Sequence, residues 1–188
     1  MSQSLNNISD FVEVKGEKYK INTDFKVWIE IEHLLFDKSK SYERRLAEIL
    51  ILAYPILPPD PLEAINGVLW FYTGGEVKTE GGEDNILPSY DLSEDFDYVW
   101  GAFLGEFGID ITEKDLHWWK FRTLLLCLGD ESRFSKIVGY RTMDISSIKD
   151  KNMKRFYEKM KRKFSLKIWD DPLLKEKQTA LRMESLFD

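Results

Sequence analysis

The two histidines are the first candidates for chemistry, because histidine is the commonest general base and a frequent metal ligand. His33 lies three residues after Glu30 and four before Asp37, which is the spacing of side-chain pairs on one helix face. His117 directly precedes two tryptophans, so we expect its ring to pack while one nitrogen makes a local hydrogen bond. We therefore interpret both histidines as structural.

Cys127 is the only cysteine, and it follows three consecutive leucines. We expect its thiol to be buried, without the neighbouring base and the open cleft that a nucleophile needs. One cysteine and two distant histidines are also a poor ligand supply for zinc. A lone cysteine cannot form an internal disulfide, which suits a reducing compartment.

Two acidic segments contain residue types that bind cations or phosphate, but neither has the required spacing. The first lacks the alternating ligands of an EF-hand loop, and we interpret it as acids that favour a helix start: Asp91, Glu94, Asp95 and Asp97. The second, residues 74–82, is rich in glycine without the Gly-Lys-Ser or Gly-Lys-Thr ending of a phosphate loop. We therefore predict no enzymatic activity, no metal, no cofactor and no small-molecule substrate.

A basic amphipathic helix is the strongest surface feature of the sequence. Residues 149–167 contain nine basic and two acidic side chains, which gives this segment a charge of +7. Because the net charge of the whole chain is −6, the remaining residues carry −13. Four interpretations stay open: a solvated face packed on the acidic remainder, a landing site for an acidic partner protein, a nucleic-acid site and a membrane-surface site. The candidate partner-binding surface comprises Met153, Lys154, Arg155, Phe156, Met160, Lys161 and Phe164.

Composition narrows these alternatives. The 188 residues are 43 % hydrophobic and 14 % aromatic, which is enough apolar material for a core. No apolar run reaches the ~18 residues of a membrane span and the start has no leader pattern, so we expect a cytoplasmic protein without a membrane partner. The net negative charge argues against general nucleic-acid binding, which depends on neutralised phosphates.

The elements that would position these residues are mostly helical. We predict a mainly α, single compact multi-helix domain over residues 11–169, with a short N-terminal β-hairpin around Gly16. Residues 1–10 are predicted to be disordered, residues 73–92 to form a flexible loop, and residues 170–188 to form a helical tail.

Helix starts are expected at four capping residues: Thr23, Asp60, Ser93 and Thr112. Pro55 and Gly108 are expected to end two helices. The helix predicted from Thr112 to Gly129 has apolar residues around nearly its whole circumference, which places it at the centre of the domain. We expect both of its tryptophans to be buried. The predicted core signature is Trp28, Trp70, Trp100, His117, Trp118, Trp119 and Phe121.

Three segments of this sequence resemble one known family. Residues 21–28, residues 64–72 and above all residues 116–122, which read Leu-His-Trp-Trp-Lys-Phe-Arg, look like the phage gene-product-fifteen family of tailed bacteriophages and prophages of Gram-positive bacteria. The resemblance extends over residues 11–168 in consistent order. The glycine-rich loop and the tail after Trp169 lie outside it.

The resemblance implies a gene between those of the major tail tube protein and the tape-measure protein. Proteins encoded there act as tail assembly chaperones, which bind the tape-measure protein and are not retained in the virion. The expected partners are thus the tape-measure protein and other tail proteins, in the cytoplasm of the bacterial host. Two alternatives are a structural virion component, such as a tail-completion or head–tail joining protein, and a nucleic-acid-binding regulator that acts through residues 149–167.

Overall fold

The computed structural model describes residues 8–37, 39–75 and 88–170, in which a hairpin is followed by seven α-helices. The hairpin strands are β1 (Phe11–Val14) and β2 (Glu17–Lys20). The helices are α1 (Phe25–Phe36), α2 (Tyr42–Ala53), α3 (Pro61–Tyr72), α4 (Phe96–Phe107), α5 (Trp118–Leu126), α6 (Arg133–Thr142) and α7 (Lys151–Lys163), followed by a 3₁₀ turn at Lys167–Asp170. The predicted mainly α fold with an N-terminal hairpin is confirmed.

Some predictions fall on other parts of the chain. Residues 1–7 of the predicted disordered start, residues 76–87 of the predicted loop and residues 171–188 of the predicted tail lie outside the described residues. The chain, predicted to form one domain, divides into two compact units. The first comprises Met1–Thr79 and Phe103–Cys127, and the second comprises Glu80–Ala102 and Leu128–Asp188.

The hairpin forms because its turn residues accept the left-handed conformation. Lys15 and Gly16 have φ angles of 51° and 81°, as a two-residue hairpin turn requires, and Val14 pairs with Glu17 directly beside them. Val12 and Val14 are buried, and the alternating residues of β1 are exposed. This alternation fixes which face of the hairpin packs on the helices.

Several predicted helix boundaries are confirmed. Asp60 caps α3, because its carboxylate accepts hydrogen bonds from the amides of Leu62 and Glu63, at 3.0 and 3.1 Å. Pro55 follows the end of α2, and Gly108 ends α4 with a φ of +64°.

Three predicted helix starts are wrong, and the structure shows why. The N-cap of α1 is Asp24, not Thr23, because Thr23 accepts a hydrogen bond from the amide of Trp118 at 2.7 Å in an extended bridge. Ser93 donates its amide to the carboxylate of Asp91 in a separate turn, and α4 begins later, at Phe96.

Thr112 is the third wrong start. It bonds through both its amide and its hydroxyl to Asp110, at 2.9 and 2.6 Å. This local turn closes before α5 begins at Trp118, so the helix is shorter than the predicted segment and ends at Leu126 instead of Gly129. At Thr112 and at Ser93, the predicted cap residue donates its amide to an aspartate two residues earlier, and this bond forms a separate turn.

The core of the first unit includes one stripe of α5. Trp118, Phe121 and Leu125 are buried there, at spacings of three and four residues. The prediction of burial around the whole circumference is wrong, because Leu126 is 78 % exposed and the thiol of Cys127 is exposed as well. A nine-residue helix with one inward stripe leaves its outward side chains in solvent, and Leu126 is one of them.

The core of the second unit encloses an ion pair among apolar side chains. The Asp95 carboxylate accepts two hydrogen bonds from the Arg141 guanidinium, at 2.6 and 2.8 Å, and both side chains are buried. The buried apolar residues of the described part of this unit are Leu92, Val99, Ala102, Leu128, Phe134, Ile137, Phe164 and Leu166.

Candidate partner-binding surface

The basic helix α7 has a well-defined start and end. The Asp150 carboxylate accepts hydrogen bonds from the amides of Asn152 and Met153, at 2.9 and 2.8 Å, which caps the first turn. The last turn carries three cations, at residues 161–163, where the negative end of the helix dipole favours them. Local sequence therefore stabilises this helix at both ends.

The first half of the apolar stripe of α7 is open to solvent. No residue of the helix is buried. Met153 is 52 % exposed and Phe156 is 48 % exposed, whereas Tyr157 and Met160 are half-buried. Phe156 and Tyr157 contact each other edge to face at 5.3 Å, and the Tyr140 ring of α6 lies 6.2 Å from each of them. The stripe is thus a partly covered aromatic surface of the kind that anchors interfaces.

Phe164 differs from the rest of the predicted surface because it is buried. It is the C-cap of α7, and its ring stacks on Tyr140 with centroids 6.0 Å apart. Its carbonyl oxygen accepts a 2.6 Å hydrogen bond from Nε of Arg141. Phe164 therefore fastens the end of α7 to its own unit and is not available to a partner.

The cations of α7 have no carboxylate partners in the part of the chain that the structure describes. The ion pairs there lie elsewhere, and the one nearest in sequence joins Arg141 of α6 to Asp95. Among the remaining predicted surface residues, Arg155 is exposed and Lys154 and Lys161 are half-buried. These cations flank the open stripe and retain their charge for an acidic ligand.

The core signature residues of the first unit form one packed cluster. Trp118 stacks on Trp28 at 6.0 Å and on Phe121 at 5.8 Å. Trp70 meets Trp119 edge to face at 5.6 Å. Trp28, Trp118 and Phe121 are buried, but Trp70 and Trp119 are half-buried, so the prediction of two buried neighbouring tryptophans holds for Trp118 alone.

Three indole groups of this cluster, those of Trp28, Trp118 and Trp119, are bonded to the backbone. The Nε1 atoms of Trp118 and Trp119 donate to the carbonyl oxygens of Tyr72 and Phe71, at 3.0 and 2.7 Å. The indole of Trp28 donates to the carbonyl of Asn22 at 2.6 Å. Because these three donors are satisfied within the fold, they help to hold α1, α3 and α5 together. Trp100 lies in the second unit, outside this cluster.

His117 is the N-cap of α5. Its Nδ1 accepts the amide of Trp119 at 3.1 Å, and its Nε2 lies 3.3 Å from the carbonyl of Ser9 and 3.7 Å from Oδ1 of Asp10. This network requires the neutral tautomer with hydrogen on Nε2. Burial lowers the pKa of His117, which the contacts with Ser9 and Asp10 oppose. The imidazole is thus a structural cap.

In residues 8–37, 39–75 and 88–170, no three or more histidine, cysteine or carboxylate side chains lie together as metal ligands would. None of the helices described there has the length and the apolar character of a membrane span.

Residues 5–166 match the family model described as Bacteriophage Gp15 protein. The chain belongs to this bacteriophage Gp15 family. The resemblance seen in the sequence is thereby confirmed, and the Gp15 protein is a phage structural or morphogenesis protein. Neither a curated protein nor a solved structure matches it.

The matched region of the Gp15 protein contains the hairpin, all seven helices and both groups of predicted site residues. It also contains the Asp95–Arg141 pair, which was not predicted. One signal could have revealed it: Phe134, Ile137 and Arg141 follow helical spacing, so the arginine stands at a core-facing position of α6. A charged residue there requires a buried counter-ion.

Proposed function

We propose that this Gp15 protein is a non-catalytic tail assembly chaperone, which binds the tape-measure protein in the host cytoplasm and is absent from the finished virion. Family membership supports a role in phage structure or morphogenesis. The observation that carries the binding role is the open stripe of α7, where two large apolar side chains are about half exposed beside cations that have no carboxylate partner among the described residues.

The physics of α7 favours a protein ligand. Phe156 and Met153 can bury apolar area in a partner groove or on a partner helix, and methionine adapts to different side chains. The flanking cations would steer an acidic segment and suppress binding of basic segments. The acidic remainder of the chain would keep the complex soluble.

The test is a binding measurement between the purified Gp15 protein and the tape-measure protein, co-expressed so that both stay soluble. The variant Met153→Ser with Phe156→Ser should weaken binding at least tenfold. A matched control is Ile51→Ser with Leu62→Ser, which removes two apolar side chains of the first unit that are 67 % and 77 % exposed. Absence of binding by the natural chain, or equal losses in both double variants, contradicts the proposal.

Mass spectrometry of purified virions separates the chaperone from a structural virion component. The chaperone role predicts that the Gp15 protein is missing from mature particles. Its presence at a fixed ratio to the tail tube protein would replace the chaperone by the structural alternative. The nucleic-acid alternative predicts salt-dependent DNA binding that Lys154→Glu with Lys161→Glu abolishes, and we expect no such binding.

A further inference from the structure

A groove runs along the free edge of β1 in the first unit. Its volume is about 750 Å³, and its lining comprises residues 8–13, Lys18, and the α3 residues Glu63, Asn66, Gly67 and Trp70. Consecutive residues of a strand point to opposite faces, so residues 11–13 can line one groove only along the strand's edge. The opposite wall is one stripe of α3, since residues 63, 66, 67 and 70 follow helical spacing.

Gly67 determines how closely α3 approaches the strand. A Cβ atom at this position would lie 2.7 Å from the Tyr54 hydroxyl and 3.2 Å from Cγ2 of Val12. The Tyr54 hydroxyl donates a 2.8 Å hydrogen bond to the Ala64 carbonyl, so it is fixed in place. The absence of a side chain at Gly67 therefore lets the helix run beside the strand.

The hydrogen-bond register shows which backbone groups of β1 face the groove. Asp10 pairs with Ile21 through a 3.0 Å hydrogen bond, and the pairing alternates along the hairpin from there. The amide and carbonyl groups of Phe11 and Glu13 therefore point away from β2. They are the groups that an added strand would bond.

The Ser9 hydroxyl already occupies one of these positions. It accepts from the Phe11 amide at 3.1 Å and donates to the Phe11 carbonyl at 2.7 Å. A neighbouring strand would bond both groups in the same way. The amide and carbonyl of Glu13 have no such substitute among residues 8–37, 39–75 and 88–170.

The charges and the apolar surface of the groove select the occupant. Asp10, Glu13 and Glu63 face a single cation, Lys18, so the described lining is net acidic. The half-buried ring of Trp70 gives the α3 wall an apolar surface. An extended segment in the groove would place alternate side chains towards Glu13 and towards this wall.

We propose that this edge groove binds an extended basic segment of another polypeptide, which adds as a third strand to β1 with apolar side chains towards α3 and cations towards Glu13. A second copy of β1 fits poorly, because antiparallel pairing about Glu13 would set two glutamates opposite each other. Residues 1–7 contain no lysine or arginine. This site is independent of the α7 surface.

The experiment titrates the ¹⁵N-labelled full chain with a capped hexapeptide of alternating lysine and valine and measures amide shifts and the dissociation constant. The expected result is saturable shifts at residues 9–13 and at the Trp70 indole. An alternating glutamate and valine peptide should bind at least tenfold more weakly. Equal binding of both peptides, or shifts confined to other residues, would overturn the proposal.

The backbone contribution is tested separately. The variant Glu13→Pro removes the outward amide without removing a bond to β2, and it should weaken the lysine peptide at least tenfold. Glu13→Gln keeps the backbone amide and should weaken binding only about two- to fivefold. Glu43→Gln, at an exposed position of α2, should leave the affinity for the lysine peptide unchanged.

Two further controls keep the test decisive if Glu13→Pro disturbs folding. The natural chain is also titrated with two N-methylated lysine peptides, one methylated at the odd-numbered amides and the other at the even-numbered amides. One of the two peptides should lose binding, and unchanged binding of both contradicts strand addition. Displacement of the lysine peptide by a peptide of residues 1–7, or a concentration-dependent dimer that Glu13→Pro disrupts, would replace the proposed occupant by the chain itself.

Discussion

The tryptophan cluster of α5 and the aromatic stripe of α7 use similar residue types for different ends. In the first unit, Trp118 and Phe121 are buried, and the indole donors of Trp28, Trp118 and Trp119 are bonded to carbonyl groups of the same unit. In the second unit, Phe156 and Met153 remain about half exposed among cations. Aromatic content alone does not distinguish a core from an interface; satisfied polar atoms and burial do.

The two regions should respond differently to truncation, and the largest effect is expected in the cluster. Trp118→Ala removes a buried indole that stacks on Trp28 and donates a hydrogen bond to the Tyr72 carbonyl. The free energy of unfolding should fall by about 3–5 kcal/mol. Chemical denaturation measures it. The matched variant Leu126→Ala lies on the same helix at a 78 % exposed side chain and should change stability by less than about 0.5 kcal/mol.

Variants of the buried ion pair measure how much a charge without its counter-ion destabilises the core of the second unit. Asp95→Ala leaves the Arg141 guanidinium buried without its counter-ion and should lower stability by about 3–5 kcal/mol in the same denaturation assay. The double variant Asp95→Leu with Arg141→Met removes both charges and should recover at least half of that loss. A double variant as unstable as Asp95→Ala would mean that the charges themselves are not the cause.

The stripe of α7 should show the opposite behaviour to the cluster. Phe156→Ala should reduce the affinity for the tape-measure protein about tenfold, or about 1.4 kcal/mol, because a half-exposed aromatic side chain can anchor an interface. Its free energy of unfolding should change by less than about 0.5 kcal/mol. Calorimetric titration gives the affinity and denaturation the stability. A large stability loss with unchanged affinity would reverse the assignment of the two regions.

The smallest effect concerns the N-cap of α5 and its pH dependence. Burial lowers the folded-state pKa of His117, so as pH falls below its unfolded value of about 6.5 the unfolded chain binds a proton that the folded chain does not. Stability should therefore be constant above that pH and decline below it, until the lowered pKa is reached. Thermal melts between pH 7.5 and about 5 measure the decline.

The substitution His117→Asn sharpens this test, because asparagine can cap a helix without titrating. It should remove the decline below pH 6.5 while costing about 1 kcal/mol or less at pH 7.5. The exposed His33 provides the matched variant His33→Asn, which should retain the decline. A decline that persists in His117→Asn would assign it to another group.

Much of the fold could be predicted because its signals are local. The Lys15–Gly16 turn, the Asp60 cap and the apolar stripe of α6 depend on residues that are neighbours in sequence. Two of the wrong helix starts, at Ser93 and Thr112, lie where a nearby carboxylate competes for the predicted cap residue. The carboxylates of Asp91 and Asp110 accept the amides of these residues and form separate turns. A propensity scale does not show whether such a residue will cap a helix or join a turn.

The candidate surfaces show the same division. The amphipathic pattern of α7 predicted its apolar stripe and its cations, but the burial of Phe164 depends on Tyr140 and Arg141, which come from another helix. The edge groove of β1 was not predicted, because its two walls are about 50 residues apart in sequence.

The sequence by itself determined the helical content, the hairpin, the family and the charge of α7, since each follows from short-range spacing or composition. Tertiary structure alone decided that Asp95 meets Arg141, that Thr23 bonds to Trp118 and that Leu126 and Cys127 face solvent. The physical reason is that a side chain's burial and its hydrogen-bond partner depend on which distant segment packs against it. That choice is made by the packing of the whole unit and is not encoded in any one segment.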